Sequence, residues 1–404
     1  RLKKVHRKKL KGGKTLKRIG LWCSAALLLL SGCLPGAPET EPQVIEGGDS
    51  DSEEVMISRE IDTTERFYRS VLPYHASDSR GFILAGVDNR LDIDEFETGL
   101  IRLSQTVFDP DEYFIRDGQV LSEEDVQAWI NRRSKDNEKG LNPELGVSES
   151  ASVEEKLKAN EKNPRYLSFV LEQNYMVEKG DRIELGGISI GVSLNSVYYY
   201  SVMDNEGKIH SGEVDLRSNE RKIIEEGKRM AQQIVSDLRA KEEAQDVPIL
   251  IALFLEEPRD SLIPGRFISM ATVGKGKSEI GAWEDLDERY YLFPSAEVMK
   301  DHRSDAEQFN NFKAEIESFF PNFTGVIGKG FYKDGELRRM TVDIPMQFYG
   351  KSEVIAFVQH VTDLVSSFLA DDIPLEVNIT SMDKQEAVII KSPDRKEPFV
   401  HIYR

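Results

Sequence analysis

The sequence predicts an α+β fold of two lobes, in which mixed β-sheets are covered by helices on one face. Helical and strand-like hydrophobic patterns alternate without a fixed order from Glu60 onward. The part of the chain beyond residue 58 is longer than one hydrophobic core usually spans, which favours two lobes. The third observation is a pattern of strand, helix, Asp-x-Pro and strand that occurs twice, with its aspartates at Asp246 and Asp372.

Charge and cysteine content divide the chain into an N-terminal targeting segment, residues 1–33, and a body. The 404 residues carry a formal charge of −18, yet residues 1–33 contain ten basic and no acidic side chains, so the remainder carries −28. The acidic body argues against nucleic acid as a partner, because binding to phosphates depends on Lys and Arg. Both cysteines, Cys23 and Cys33, lie in the targeting segment, which excludes a disulfide framework and a thiol nucleophile from the body.

The first 33 residues have the features of a lipoprotein signal peptide. The apolar stretch over residues 19–30 follows a basic leader and is too short for an ordinary transmembrane helix. Leu30-Ser31-Gly32-Cys33 closes this stretch as a lipobox, which is a leucine, two small residues and a cysteine whose thiol accepts a diacylglyceryl group. The alternatives are an ordinary secretory signal with a chance cysteine, or a short buried helix.

This interpretation predicts a protein that is lipid-anchored on the extracytoplasmic face of the cell membrane. We expect a diacylglyceryl transferase to modify Cys33 and a lipoprotein signal peptidase to cut between Gly32 and Cys33. Two acyl chains make the membrane attachment stable, since a single chain anchors a protein only marginally.

The residues after Cys33 predict a flexible tether, because they are rich in Pro, Glu, Gly, Asp and Ser and contain little apolar surface to bury. The predicted organisation is a signal peptide, a lipidated N-terminus with its tether, a first α+β lobe and a second α+β lobe, over residues 1–32, 33–58, 59–285 and 286–404.

The first lobe begins with helical patterns. Apolar spacing predicts a helix over residues 96–108, and Ser122 precedes another that continues through Ile130. Residues 131–163 are highly charged, which predicts a long solvated excursion with one short helix. A strand-like run over residues 187–200 leads into a hairpin around Asn205-Glu-Gly207.

The repeated pattern spans the centre and the end of the chain. In the first copy, Ser218 caps a helix with one apolar stripe, and the buried strand Ile249–Leu255 follows. The second copy has a strand-like run over residues 340–349, a helix over 353–369 and a strand over 375–379. Further strands are predicted at residues 267–273, 387–391 and 399–403, and a helix at 305–320. We interpret this as an internally duplicated β-α-β unit, with chance recurrence of a common motif as the alternative.

Two matches to catalytic motifs fail on their context. Gly187-Ile-Ser189-Ile-Gly191 spells a nucleophile elbow, which needs a sharp turn between a strand and a helix, whereas the strand pattern continues through Ser189. Residues 271–278 match a relaxed phosphate-binding loop, but the residues after Lys277 begin a helix poorly. We therefore assign no catalytic residue.

We expect no metal ion and no cofactor in the body. No two of the six histidines have the i,i+3 or i,i+4 spacing of a local metal motif. The acidic cluster of Asp88, Asp92, Asp94 and Glu95 lacks the loop spacing and central glycine of an EF-hand, so cation binding there is the lesser alternative.

Tyrosines form the candidate ligand surface. On a strand, Tyr198 and Tyr200 share one face and Tyr199 takes the other, while Tyr349 lies at the matching point of the second copy. Stacked tyrosines suit glycans or peptides, since they offer rigid area with a polar tip. Packing against the following helix is the alternative.

Several segments carry a resemblance over nearly the whole chain. Besides the lipobox they are Phe67-Tyr-Arg-Ser-Val-Leu-Pro73-Tyr, Phe96-Glu-Thr-Gly-Leu100, Gly140-Leu-Asn-Pro143, Leu171-Glu-Gln-Asn174, Asn195-Ser-Val-Tyr-Tyr-Tyr200, Pro264-Gly-Arg-Phe-Ile268, Asn322-Phe-Thr324 and Glu397-Pro-Phe-Val-His-Ile-Tyr403. In this order they resemble the CamS lipoproteins, the sex-pheromone precursors of staphylococci and related Gram-positive bacteria.

The resemblance implies that the discarded signal peptide is itself a product. After cleavage before Cys33, an intramembrane protease trims the remnant to a short hydrophobic peptide in such precursors. The candidate on this sequence is Ala26, Leu27, Leu28, Leu29, Leu30, Ser31 and Gly32. The resemblance gives the folded body no activity.

The predicted function is a non-enzymatic lipoprotein body that binds a ligand or another envelope component. The alternative is a hydrolase that acts on cell-envelope material through carboxylates brought together by folding, with Asp343, Glu256, Glu257 and Asp260 as candidates. A pocket with two close carboxylates favours the enzyme, and an aromatic groove without such a pair favours binding.

Overall fold

The computed structural model describes residues 44–46, 54–61, 63, 66–79, 89–319, 325–370, 372–381 and 384–404. Among these residues the chain forms seven helices and four sheets, which confirms the predicted mixed α+β class. The chain from Gln43 to Arg404 forms one compact unit. No helix in the described ranges has the length and apolar character that crossing a bilayer requires.

The elements, in chain order, are β1 Val44–Glu46, β2 Glu54–Ile57, β3 Val71–Leu72, α1 Ile93–Ser104, β4 Tyr113–Asp117, α2 Glu123–Ile130, α3 Val153–Lys162, β5 Leu167–Lys179, β6 Arg182–Leu194, β7 Val197–Met203, β8 Ile209–Asp215, α4 Glu220–Arg239, β9 Ile249–Leu255, β10 Arg266–Val273, β11 Glu284–Asp285, β12 Glu288–Phe293, α5 Ala296–Asp301, α6 Arg303–Phe319, β13 Ile327–Lys333, β14 Glu336–Pro345, α7 Lys351–Phe368, β15 Leu375–Ser381, β16 Lys384–Lys391 and β17 Phe399–Ile402.

A small antiparallel sheet joins β1, β2 and β3. Ile57 is buried there with Val71, Phe114 and Met176. Strands β1 and β2 lie within residues 33–58, so the end of the predicted tether pairs with the body instead of staying free of it. Burial of Ile57 accounts for this, because apolar area removed from water offsets the ordering of a short strand.

The first large sheet has the order β11-β10-β9-β6-β5-β4, and its central pair, β6 and β9, is parallel. Helices cover both of its faces. On one face Ser104 of α1 hydrogen-bonds Ser189, their hydroxyl oxygens 2.6 Å apart. On the other face Gly227 brings α4 close to Leu194 and Leu253. The expectation of helices on one face is therefore wrong for this sheet, and every residue of Ile249–Leu255 is buried because both faces are covered.

The second large sheet has the order β12-β13-β14-β15-β16-β17, and again the central pair, β14 and β15, is parallel. Buried and more exposed residues alternate along β14. One face therefore carries the core, which includes Phe309 and Phe312 of α6 and Phe357 of α7.

The predicted recurrence of a β-α-β unit is confirmed as a topological repeat, but the run predicted as one strand over residues 187–200 is divided, because β6 ends at Leu194 and the tyrosines lie on β7 of a separate sheet. The units are β6-α4-β9 and β14-α7-β15, and each is flanked by antiparallel strands on both sides. The hairpin β7–β8 interrupts the first crossover, with its turn at the predicted place around Gly207, whose φ is +82°. The predicted boundary between residues 285 and 286 stays a prediction, although β11 ends one sheet at Asp285 and β12 begins the other at Glu288.

Local signals place most element ends well. Ser122 forms a capping box with Asp125 at the start of α2, as its position predicted. The cap of α4 is a correction: Asn219, not Ser218, accepts a hydrogen bond from the backbone N–H of Lys222, because a 3₁₀ turn over Arg217–Asn219 delays the start of the helix to Glu220. The end of β14 is a second correction. The strand was predicted to continue to residue 349 but ends at Pro345, which has no N–H to extend the hydrogen-bond ladder.

Residues 131–163 are only partly the solvated excursion that their charge predicted. They contain the short helix α3, but Asn142 is fully buried and makes four hydrogen bonds. Its amide donates to the carbonyl oxygens of Ile130 and Leu167, and its oxygen accepts from the N–H groups of Tyr166 and Leu167. This side chain fixes the segment to β5, which places the segment beside β7.

A tyrosine cavity as candidate functional site

A cavity of about 650 Å³ lies between β7, the end of α2, helix α3 and the start of β5. We call it the tyrosine cavity. Its lining includes Ile130, Arg132, Asn160, Arg165, Tyr198 and Tyr200. Its volume is within the range of roughly 300–1,000 Å³ that is typical of small-molecule sites.

The hairpin β7–β8 positions the tyrosines. The rings of Tyr198 and Tyr200 stack at 5.5 Å between centroids with 23° between their planes. Tyr199 points to the other face, where the Arg259 guanidinium lies 4.3 Å from its ring centroid. Gly212 is opposite Tyr200, and any side chain there would collide with the Tyr200 hydroxyl at 2.4 Å. The alternation and this glycine together create the aromatic wall.

A hydrogen-bond network fixes the floor of the cavity. The Tyr198 hydroxyl donates to Asn160 Oδ1 at 2.7 Å and accepts from Arg132 Nη2 at 2.9 Å. Arg132 Nη1 donates to the carbonyl oxygens of Pro143 and Asn163 at 2.8 and 2.7 Å. Burial lowers the pKa of Arg132 from its ordinary value, as expected for a cation that loses solvent. Arg132 also donates to Asn160 Oδ1, so it ties the loop after α2, helix α3 and β7 together.

The charged side chains that line the tyrosine cavity are all cationic. They are Arg132, Lys156 and Arg165, and the lining contains no Asp or Glu. Among the described residues, Arg165 Nε is buried without a hydrogen-bond partner. The exposed Glu161 lies beside the aromatic wall and accepts from the Tyr200 hydroxyl at 3.2 Å. Burial, with this carboxylate adding to it, raises the pKa of Tyr200.

The family model described as CamS sex pheromone cAM373 precursor matches residues 74–397. The chain belongs to the CamS family. No curated protein matches it.

Two solved structures of sex pheromone precursors are similar to this CamS chain. One is from Lactobacillus salivarius subsp. salivarius UCC118, with 30% identity and a TM-score of 0.76, covering 87% of this chain and 99% of that one. The other is the C-terminal domain of the staph-cAM373 precursor from Staphylococcus aureus, with 31% identity and a TM-score of 0.64, covering 77% of this chain and 96% of that one. The resemblance to the CamS family is thereby confirmed.

The CamS fold brings together only part of the predicted ligand surface. Tyr198 and Tyr200 line the cavity, whereas Tyr349 lies beyond the end of β14 with 88% of its surface exposed and does not line it. Sequence reasoning missed both arginines because Arg132 lies inside, and Arg165 just after, the charged segment over residues 131–163 that was predicted to be solvated. A signal that could have found them is Gly140-Leu-Asn-Pro143, an apolar and turn-forming stretch inside that segment.

The four candidate carboxylates of the rival hydrolase do not line the tyrosine cavity. Glu256 is fully buried and accepts a hydrogen bond from Ser193 Oγ at 2.6 Å. Burial raises the pKa of Glu257, against the opposing charge of Arg266. Asp260 is exposed, and Asp343 accepts from the Asn378 amide at 3.5 Å on the second sheet.

The structure supports the rejection of both catalytic motifs. Ser189 is completely buried within β6 and its hydroxyl hydrogen-bonds Ser104, so it is not exposed on a strained turn. Lys277 lies in a turn after β10, and residues 274–283 contain no helix whose N-terminus could face a phosphate.

The acidic cluster is divided among other roles. Asp92 caps α1 by accepting from the N–H of Glu95 at 3.3 Å, and the Glu95 carboxylate pairs with Arg102 and Arg339. Asp88 lies outside the described residues. Within the described ranges, no three His, Cys, Asp or Glu side chains are grouped to hold a metal ion. Cys33 and the peptide over residues 26–32 also lie outside the described residues.

Proposed function

We propose that this CamS family member is a membrane-anchored extracytoplasmic lipoprotein whose folded body binds an envelope ligand in the tyrosine cavity. The observation that carries the binding role is the stacked Tyr198–Tyr200 pair, which walls a cavity of about 650 Å³. Aromatic area beside a few fixed polar groups is the usual composition of a ligand site. The separation of the candidate carboxylates from this cavity favours binding over hydrolysis.

The binding role is tested by capture of ligand from envelope extract with the full-length protein in detergent. We expect a small molecule that copurifies with the wild type to be lost with Tyr200→Ala, which removes the half-buried ring of the wall. Tyr349→Ala is the matched control, because that tyrosine is exposed outside the cavity. Equal retention by wild type, Tyr200→Ala and Tyr349→Ala, measured by mass spectrometry, would contradict the proposal.

The anchor is proposed at Cys33, through the action of a diacylglyceryl transferase and a lipoprotein signal peptidase. Its support is the lipobox behind a basic, apolar leader. Cells that express the protein are fed a clickable fatty acid, and we expect the label on the wild type and on Cys23→Ala but not on Cys33→Ala. Cys23→Ala is the control because Cys23 lies inside the apolar leader. Label that persists on Cys33→Ala excludes this anchor.

The cleaved leader is proposed as the source of a pheromone-like peptide over residues 26–32. Its support is the family description, which is that of a sex pheromone precursor. We expect mass spectrometry of culture medium to detect the peptide Ala-Leu-Leu-Leu-Leu-Ser-Gly from cells with the wild type or Cys23→Ala. Cys33→Ala blocks the cleavage and removes the peptide. Its absence from the wild-type medium, or its presence with Cys33→Ala, rules out this source.

A further inference from the structure

We propose that the tyrosine cavity contains an anion subsite at Arg165, supported by Arg132 and Lys156, and that its ligand is an acidic sugar. This inference rests on the proposed binding function and specifies its ligand class. The acidic group is a carboxylate or a phosphate carried by the sugar.

The first argument is the sign of the charge. In a chain with a formal charge of −18, the ionisable acid and base side chains of the cavity lining are three cations and no carboxylate. Among the described residues, no ion pair joins Arg132 or Arg165 to a carboxylate. Glu124 and Asp136 lie with them only around a shallow depression of the adjoining surface. Low-dielectric walls around like charges concentrate an anion there.

The second argument separates the two arginines. The Arg132 guanidinium donates to two backbone carbonyl oxygens and to the side chains of Asn160 and Tyr198. Its donors are therefore already used within the protein. The Arg165 side chain also lines the cavity, but among the described residues its guanidinium makes no hydrogen bond and no ion pair. An anion in the cavity would accept charge-assisted hydrogen bonds from the terminal N–H groups of this guanidinium. Arg165 is thus the group that is available to the ligand, and Arg132 is its positioning neighbour.

The third argument concerns the neutral part of the ligand. The half-buried Tyr200 ring offers a flat apolar face next to the cations. Amides and hydroxyls occupy much of the remaining lining, at Gln127, Asn131, Asn195, Ser168 and Ser201. Such groups both donate and accept, which matches the hydroxyls of a sugar whose C–H face lies on an aromatic ring.

The test measures binding of three defined sugars to the full-length protein by isothermal titration calorimetry. The probes are the disaccharide of N-acetylglucosamine and N-acetylmuramic acid, N-acetylglucosamine 1-phosphate, and neutral N,N′-diacetylchitobiose. We expect at least one acidic probe to bind at least tenfold more tightly than chitobiose, and the probe that does so identifies the carboxylate or the phosphate as the ligand group. Arg165→Gln should abolish that preference, while Arg338→Gln, at an exposed arginine outside the cavity, should preserve it.

Two results overturn the anion subsite. If chitobiose binds as tightly as the acidic sugars and Arg165→Gln leaves all three affinities unchanged, the cavity does not discriminate between neutral and acidic sugars. If no probe binds to the folded wild type, the ligand is not an acidic sugar of these kinds. Neither result decides the proposed binding function, which stands or falls with the capture experiment on Tyr200→Ala. Thermal unfolding of Arg165→Gln at the wild-type temperature confirms that a lost preference is not a loss of fold.

Discussion

Individual polar side chains fix the parts of this molecule that lack hydrophobic periodicity. Asn142 satisfies four backbone groups from three residues, and Arg132 bonds two carbonyl oxygens and two side chains. Arg132 stands among charged and polar neighbours, and Asn142 lies in the short stretch Gly140-Leu-Asn-Pro143, so neither side chain shows its hydrogen-bond partners in the sequence. Their roles depend on the partners that folding brings to them, which explains why local patterns predicted a solvated segment.

The first prediction concerns Asn142. Asn142→Leu keeps the volume but leaves buried N–H and carbonyl groups unpaired, and each such group costs about 1–3 kcal/mol. We expect the free energy of unfolding to fall by about 3 kcal/mol in urea titrations. Asn205→Ala, at the exposed hairpin turn, is expected to stay within about 0.5 kcal/mol of the wild type. An Asn142→Leu protein as stable as Asn205→Ala contradicts the anchoring role.

The second prediction concerns pH and Glu386. The hydrogen bond from Lys351, with Lys384 and Ser381 adding to it against burial, lowers the pKa of Glu386 to about 2. Because the pKa is lower in the folded state than in the unfolded chain, this pairing stabilises the protein fully above about pH 5 and is lost as the pH falls towards 2.

Glu386→Gln should therefore lower the free energy of unfolding at pH 7 by about 1.5 kcal/mol, and the difference from the wild type should shrink between pH 5 and pH 2.5. Urea titrations at several pH values measure this. Glu397→Gln, at an exposed position, serves as the control. A difference that is constant over the whole pH range shows that ionisation of Glu386 does not contribute.

At the scale of elements, the same strand arrangement occurs twice, but the two sheets are covered differently. The run Ile249–Leu255 is apolar at every position, and such runs belong to strands with both faces covered. Strand β14 alternates instead, through Arg339, Met340, Thr341 and Val342. The sequence therefore contained the difference between the sheets, although the general expectation of one covered face overlooked it. Periodicity predicted where the helices and strands lie, because an element needs only apolar residues on one face and polar residues on the other to show its period.

The third prediction concerns the contact between α1 and the first sheet. A Cβ at Gly191 would lie 2.7 Å from the Phe96 ring, which is fully buried and cannot move aside. Gly191→Val is expected to destabilise the protein by about 2 kcal/mol through overpacking. Thr272→Val, on an exposed position of β10 in the same sheet, should change the stability by less than about 0.5 kcal/mol. Thermal and urea unfolding compare the two, and equal stabilities would mean that α1 packs elsewhere.

At the scale of the whole molecule, two hydrophobic cores meet through an ionic cluster of two buried carboxylates and two partly exposed arginines. Arg102 of α1 pairs with Glu288 of β12 at 2.8 Å, and Arg339 of β14 pairs with Glu95 of α1 at 3.1 Å. The Phe331 ring lies between them, 4.5 Å from the Arg102 guanidinium carbon and 5.6 Å from that of Arg339. Sequence patterns could predict both cores, since each is periodic. They could not predict this junction, because its residues are charged and lie far apart along the chain.

The last prediction is that this cluster makes the two cores unfold together. Burial raises the pKa of the Glu95 carboxylate, so this group depends on its cationic partners. In Arg339→Met, Arg102 is the remaining cation that pairs with Glu95 among the described residues. Breaking a buried pair from one side costs about 3–5 kcal/mol, and we expect the lower end of that range because 29% of the Arg339 side chain is exposed. In a protein that starts at Cys33 and so lacks Trp22, the remaining tryptophans are Trp129 in the first core and Trp283 packed against it. Their fluorescence reports that core, whereas circular dichroism reports the whole chain.

For the wild type we expect the two urea transitions to coincide, as in a two-state system, and for Arg339→Met we expect them to separate. The exposed pair of Arg338 and Glu336 gives the matched control, since Arg338→Met removes an arginine next in sequence at a cost of less than about 1 kcal/mol. Coincident, unshifted transitions in Arg339→Met would mean that apolar packing alone couples the cores. Separated transitions in Arg338→Met as well would assign the effect to the net charge of β14 instead of the buried pair.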